Sequence, residues 1–348
     1  MSTRNIIIAL DAMGGDYGPE SVIPGAALTL KAHPQLGFIL FGDEGQIGPL
    51  LDKEPALKAV STVVHTDHKI MSNEKPSTAL RSSKGSSMRL AIEAVKEGRA
   101  MAVVSAGNTG ALMALAKMVL TPLPGINRPA IASIFPTRQS DTIMLDLGAN
   151  VLVDAENLVQ FAVLGAVFAK LHKNVAQPSV GLLNVGSEEM KGPDHVREAA
   201  AILSEVEFPG HYYGFVEGDD ITKGTVDVVV SDGYAGNIAL KTAEGVGSLT
   251  THLFKKNVMR DPLGILGSMM AYFALKRFQD QLDPRRYNGG VFLGLNGLCV
   301  KSHGGCDALA FSSAVNLAAE LVEQGYVEMV GREIEHLSEQ KSFLSQEL

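Results

Sequence analysis

A chain of 348 residues, 46% hydrophobic and 20% charged, is long enough to bury a large core and too apolar to be disordered. Its net charge of −8 makes nucleic acid a poor partner, and two cysteines form no disulfide framework, which points to the cytoplasm. The longest uncharged apolar stretch, Leu263 to Leu275, falls short of the ~20 residues that span a bilayer, and no signal-peptide core precedes the first strand.

In chain order, Asn5 to Leu10 (NIIIAL) predicts a buried strand followed by DAMGGDYGPE. Gly14 and Gly15 permit a tight turn and close backbone approach to a ligand, Asp11 and Asp16 flank them, and Pro19 suits a first helical turn. A plain strand-to-helix turn is the alternative, and the absence of GxGxxG gives no support to dinucleotide binding. Gly37 to Phe41 and Ser61 to His65 read as strands around a helix at Gly45 to Lys53. Glu74 to Met88 is a polar loop in which Arg81 and Lys84 form either an anion grip or a solvated surface. A helix from Met88 to Lys96 and a strand from Met101 to Val104 lead into SAGNTGA. There Asn108 and Thr109 suit helix capping, while Gly107 and Gly110 bare the backbone.

Ile126 to Pro136 and Ile143 to Leu147 predict paired strands that would make the sheet mixed, with DLGANV after them. Glu156 to Leu171 reads as a buried or interfacial helix. Val180 to Gly192 (VGLLNVGSEEMKG) is a strand ended at Gly186, then a loop holding Ser187, Glu188, Glu189 and Lys191, then a helix marked by Val196, Ala200 and Leu203. A strand near His211 to Val216 precedes VDVVV at Val226 to Val230, then SDGYAGN and a helix from about Ile238. Arg286 to Val300 holds two short strands, KSHGGCDA leads a helix from Asp307 to Gln324, and beyond Gly331 the tail reads as peripheral. Strands alternating with helices, without repeat or linker, predict a single α/β domain in which such glycine-bearing loops come together.

Nine histidines without ligand spacing predict no metal, and GxSxG is absent. His303 and Cys306 are weighed as a nucleophile pair, but a small buried cysteine is the better reading. What remains is loops rich in Gly, Asn, Ser, Lys and Arg, which hold anions and suit phosphate, itself a nucleophile.

ALDAMGGDYGPE, SAGNTGALMA, INRPAIASIFPT, LDLGANV, VGLLNVGSEEMKG, VDVVVSDGYAGNIALKTAEG and KSHG together closely resemble the bacterial phosphate acyltransferases of phospholipid synthesis. The likeness runs from about Asn5 to Gly331. It implies a Rossmann-like, mostly parallel layered sandwich related to phosphotransacetylase and isocitrate dehydrogenase. It also implies acyl transfer from acyl carrier protein to inorganic phosphate, a homodimer, peripheral membrane contact and no cofactor. The family's catalytic lysine and asparagine fall on Lys191 and Asn237, although a helix-start lysine and a capping asparagine are simpler roles for them. Backbone at Gly14, Gly15, Gly107 and Asn108, with Thr109 and Ser187, would complete the anion site, and Arg81 and Lys84 would meet phosphate or the carrier. An acyl-CoA donor is the alternative, and a non-catalytic membrane scaffold is the remoter one.

A protruding segment is expected at about 254–284. As a helix it groups Ile265, Leu266, Met269, Met270, Tyr272 and Phe273 on one apolar arc. Lys255, Lys256, Arg260, Lys276, Arg277, Arg285 and Arg286 flank that arc. Apolar surface with basic edges suits an anionic membrane interface; packing on the chain's own core or on a dimer partner is the alternative.

Overall fold

The computed structural model describes residues 6–258, 262–281 and 283–344. Its strands are β1 (Ile6–Asp11), β2 (Leu36–Gly42), β3 (Ser61–His65), β4 (Ala102–Ser105), β5 (Ala130–Pro136), β6 (Asp141–Leu145), β7 (Ser179–Leu183), β8 (His211–Val216), β9 (Val228–Val230), β10 (Gly290–Leu293) and β11 (Leu298–Lys301). All eleven join one sheet in the order β3-β2-β1-β4-β11-β10-β5-β6-β9-β7-β8. The first five strands of that order run parallel to one another, and so do the last four. Between them β10 is antiparallel to both β11 and β5, and β5 is antiparallel to β6. The expected hairpin and mixed sheet are therefore present. Their consequence is that the two parallel blocks point in opposite directions.

Helices cover both faces, which is why the central strands are apolar up to their last residues and do not alternate. On one face lie Pro19–Ala32, Ala155–His172, Asp194–Glu205, Ala308–Glu323 and Tyr326–Leu344, packed into one core cluster. Thr29 and Ser312 join two of these helices through a buried hydroxyl pair at 3.0 Å. Ala155–His172 is buried along nearly its whole length, and Asp154 and Asn157 close a capping box at its start. Ser87–Lys96 and Thr109–Leu120 cover part of the other face.

Three expectations are corrected. Pro76, placed at a first helical turn, starts a helix Pro76–Ser82 inside the stretch read as loop. The helix expected from Ile238 begins at Gly233, because Asp232 Oδ1 accepts the Ala235 N–H at 2.7 Å and caps it. The tail beyond Gly331 continues the helix Tyr326–Leu344, with Ile334 and Leu337 buried in the main core.

The helix Gly233–Val258 leaves the sheet, and every residue from Lys241 to Leu253 is exposed. Pro262–Met270 and Tyr272–Gln281 follow it; Arg260 lies outside the described residues. Ile265, Leu266, Met269, Met270 and Phe273 are all exposed, Met270 by 84% and Phe273 by 78%, so this arc does not pack on the chain's own core. No described helix is long and apolar enough to cross a membrane.

Candidate functional site

The glycine-bearing loops gather in two groups. The expectation of one cluster fails because loops leave the carboxyl ends of strands, and the two parallel blocks present those ends at opposite edges of the ladder. Among the described residues no hydrogen bond or ion pair joins the groups. The helix Thr109–Leu120 starts in the first group, and its 12 residues span about 18 Å. The segment after it borders the second group, where Arg128 donates to Leu152 O and Asn150 donates to Pro129 O.

The first group follows β1, β4 and β11, whose last residues Asp11, Ser105 and Lys301 lie side by side in register. Ser105 Oγ donates to Asp11 Oδ2 at 2.6 Å and accepts the Gly107 N–H at 3.0 Å. Burial raises the pKa of Asp11 against the lowering effect of Ser105. Gly14 is required here, since a Cβ would stand 2.6 Å from Asp11 Oδ2 and 2.7 Å from Gly107 N. Gly15, at φ +85°, lies against Gly304 O. Lys301 Nζ donates to Ala106 O at 3.3 Å and to Ser302 O, and burial lowers its pKa to about 8. Lys301 was not singled out in the sequence, although KSHGG follows its strand as the other loops follow theirs.

Asn108 is spent on structure. Its Oδ1 accepts the Ala111 N–H at 3.0 Å, capping the helix, and its amide donates to Ser72 O and Glu74 O at 2.8 and 2.9 Å. Backbone N–H groups and the Thr109 hydroxyl remain in this loop for an anion. Thr109, Arg81 and Lys84 are exposed on the same side, and neither cation has an ion pair among the described residues. His303 Nδ1 accepts the Gly305 N–H, and no hydrogen bond joins the buried Cys306 thiol to that ring.

The second group follows β6, β9 and β7. Asp146 is fully buried and accepts four N–H groups, from Ile131 and Ala149 on Oδ1 and from Asn150 backbone and side chain on Oδ2. Gly233 N donates to Asn150 O at 2.8 Å, and a Cβ on Gly236 would stand 1.9 Å from Asp146 O. The loops after β6 and β9 are thus locked together. Asn237 is the fifth residue of its helix and lies against Gly148, exposed and, among the described residues, without a side-chain hydrogen bond. Since Asp232 is the cap, the capping alternative for Asn237 falls away.

Lys191 lies in the loop after β7, beside β9 in the sheet. Asn184 holds this loop by donating to Lys191 O at 3.0 Å, and Gly192, at φ +91°, leaves room for the Asn184 amide. The Lys191 ammonium pairs with Glu188 at 2.7 Å, half exposed, and holds the Glu188 carboxyl below its usual range. Ser187 is exposed, and Val185, read as strand, is 75% exposed. His195 was also missed; its Nε2 stands 4.0 Å from Asp232, across two of these loops.

The fold is that of the phosphotransacetylases. A phosphotransacetylase from Streptococcus pyogenes overlays with a TM-score of 0.64 at 18% identity, covering 92% of this chain and 94% of that one. Another from Staphylococcus aureus gives 0.62 at 18% identity, covering 92% and 95%. Within that fold the sequence is more specific. It is 54% identical over 337 residues to a phosphate acyltransferase of Rhodospirillum centenum, covering 97% of this chain and 95% of that one. It is 51% identical over 337 residues to that of Parvibaculum lavamentivorans, covering 97% and 93%. Residues 6–329 match the family described as fatty acid synthesis protein. The chain belongs to the phosphate acyltransferase family.

Proposed function

We propose that the chain transfers a fatty acyl group from acyl carrier protein to inorganic phosphate, giving an acyl phosphate for phospholipid synthesis. A phosphate oxygen attacks the thioester carbonyl carbon, a C–O bond forms and the C–S bond breaks. The proton of hydrogen phosphate ends on the departing sulfur, so the products are acyl phosphate and carrier thiol. Lys191 and Asn237 face the carbonyl oxygen as its negative charge develops, and the glycine loops of the first group hold phosphate. The scheme uses no cofactor. The observation that carries it is the placement, after the neighbouring strands β7 and β9, of an exposed lysine and an asparagine whose amide has no hydrogen bond among the described residues.

Reacting atoms must approach to about 3–3.5 Å, yet the two groups of one chain lie at opposite edges of its ladder. We therefore propose a homodimer in which the first group of one copy meets the second group of its partner. The bare helix from Lys241 to Leu253 and the exposed Val151, Leu152, Val185, Met190 and Tyr234 around the second group support such a contact. Arg81 and Lys84, without an ion pair among the described residues, suit the carrier's acidic surface, and the exposed arc from Ile265 to Phe273 suits peripheral contact with an anionic membrane from the cytoplasm.

The test is complementation. Lys191→Ala is expected to lose about 10²-fold or more in turnover, as for loss of an oxyanion donor. Gly14→Ala, which crowds the Asp11 carboxylate, is expected to lose the phosphate step. Mixed and reassembled, the two variants regain up to about a quarter of wild-type activity if sites are shared, because half the dimers then hold one intact site. No recovery refutes sharing, and wild-type turnover by Lys191→Ala refutes its role. Turnover with acyl-ACP against acyl-CoA decides the donor.

A further inference from the structure

We propose that Lys301 is the cation that binds inorganic phosphate, with Asp11 and Ser105 as positioning residues that shape the loop around it. The inference rests on the acyl-transfer reading for its assay but not for its binding test. Three features of the first group carry it. The Lys301 ammonium is drawn inward at the carboxyl end of β11, held by two carbonyl oxygens, Ala106 O and Ser302 O. An ammonium has three protons, so one is left for a ligand. No carboxylate among the described residues stands within ion-pair distance of it. Lys191 differs on every count, being half exposed and paired with Glu188.

An inward lysine without a carboxylate partner is costly unless an anion completes it. The surroundings supply the rest of an anion site. The helix Thr109–Leu120 begins beside it, with free N–H groups of its first turn beyond the one that Asn108 caps. Gly14, Gly15 and Gly107 line the same place, and side chains on Gly14 or Gly15 would collide with Asp11, Gly107 or Gly304. Asp11 takes the Ser105 hydroxyl, and Ser105 in turn takes the Gly107 N–H, which fixes the loop that carries Ala106 O. The charged and titratable groups that act on Lys301 are Asp11 from β1, Asp16 from the loop after it, and Cys299 and Cys306 from its own segment. Burial dominates and lowers the Lys301 pKa to about 8, so its hold on phosphate weakens above that pH.

Steady-state kinetics on the full-length enzyme read this directly. Lys301→Met is expected to raise KM for phosphate by at least about 30-fold while KM for the acyl donor moves less than about twofold. Lys301→Arg, which stays charged, is expected to bind phosphate better than the methionine variant and to move the alkaline fall of kcat/KM for phosphate upward from about pH 8. A folded Lys301→Met with an unchanged phosphate KM overturns the proposal. Should that variant fail to fold, wild-type protein decides. Acetic anhydride labelling is run with inorganic phosphate or with chloride at equal ionic strength. Protection of Lys301 by phosphate alone supports the proposal, and equal labelling overturns it. Labelling needs no turnover, so a wild type that transfers no acyl group would sink the acyltransferase reading while leaving this result intact.

Discussion

Replacing Asp146 by Asn tests the frame that holds Asn237. The carboxylate is fully buried and accepts two N–H groups on each oxygen, at 2.9 and 3.0 Å on Oδ1 and at 2.7 and 2.9 Å on Oδ2. Whichever oxygen becomes the amide nitrogen, two buried donors then face a donor. Each hydrogen bond to a charged acceptor contributes about 1.5–3 kcal/mol, and relief of the buried charge offsets part of the loss. A net cost of about 3–5 kcal/mol follows. An unfolding entropy of about 2.1 cal/mol/K per residue over 348 residues converts this to a fall in Tm of about 4–7 °C. Turnover is expected to fall with it, because Gly148 and Gly236 lean on the same loop. Calorimetry and an acyl-transfer assay on one preparation read both quantities. A Tm within about 1 °C of wild type refutes the hydrogen-bond reasoning. A lowered Tm with full turnover breaks the link between this loop and function.

Asn237→Asp is expected to melt like wild type, since Asp232 caps the helix, yet to lose about 10²-fold or more in turnover, since a carboxylate cannot donate; full activity counts against the donor role. Burial works against charge on His172, but the hydrogen bonds its ring donates to Asp141 and Glu320 at 3.2 Å outweigh it and raise its pKa to about 9. Against an unfolded value near 6.5, this contributes up to about 3 kcal/mol, fully present below pH 6.5 and lost as pH rises through 9. Urea midpoints should therefore fall over that range in wild type but not in His172→Gln, and parallel curves would remove the network from the account. Leu266→Glu with Phe273→Glu, both exposed, should abolish binding to anionic liposomes and leave soluble turnover intact. Aggregation or a lost dimer would assign the arc to protein contacts instead.

Most strands and helices were legible because apolar runs and helical spacing act locally: Ser61 to His65 is found with its expected bounds, and Asp307 caps the helix that follows. The errors arose where capping or distant packing decides. Asp232 captures the Ala235 N–H and moves a helix start back from Ile238 to Gly233. The tail looked peripheral because only single positions such as Ile334 and Leu337 turn inward, each reaching a core assembled by other segments. Glycines at 14, 107, 148, 186 and 236 were visible as a pattern, but what each lies against is not. Lys301 escaped notice for a related reason. Its sequence neighbours Ser302 and His303 look polar and exposed, and only the β4–β11 pairing draws its ammonium under Ala106.

Strand direction was the feature hardest to read, and it decides how the site is assembled. Loops after parallel strands share one edge of a sheet, so a wholly parallel order would bring Gly14, Gly107, Lys191 and Asn237 to a single crevice. Gly290–Leu293 is four residues long and lies between β11 and β5, antiparallel to each. It leaves β5 running in the sense of β11, and the β5–β6 hairpin then sets β6, β9, β7 and β8 against the first block. The phosphate-type loops and the lysine–asparagine pair are each coherent alone: the first is tied by Asp11 and Ser105, the second by Asp146 and Asn184. Direct transfer requires both in one place, which a single copy of this ladder does not supply. The complementation experiment therefore bears on the sheet order as much as on Lys191, because shared sites are what a reversal completed at the β5–β6 hairpin demands of an acyltransferase that uses both groups.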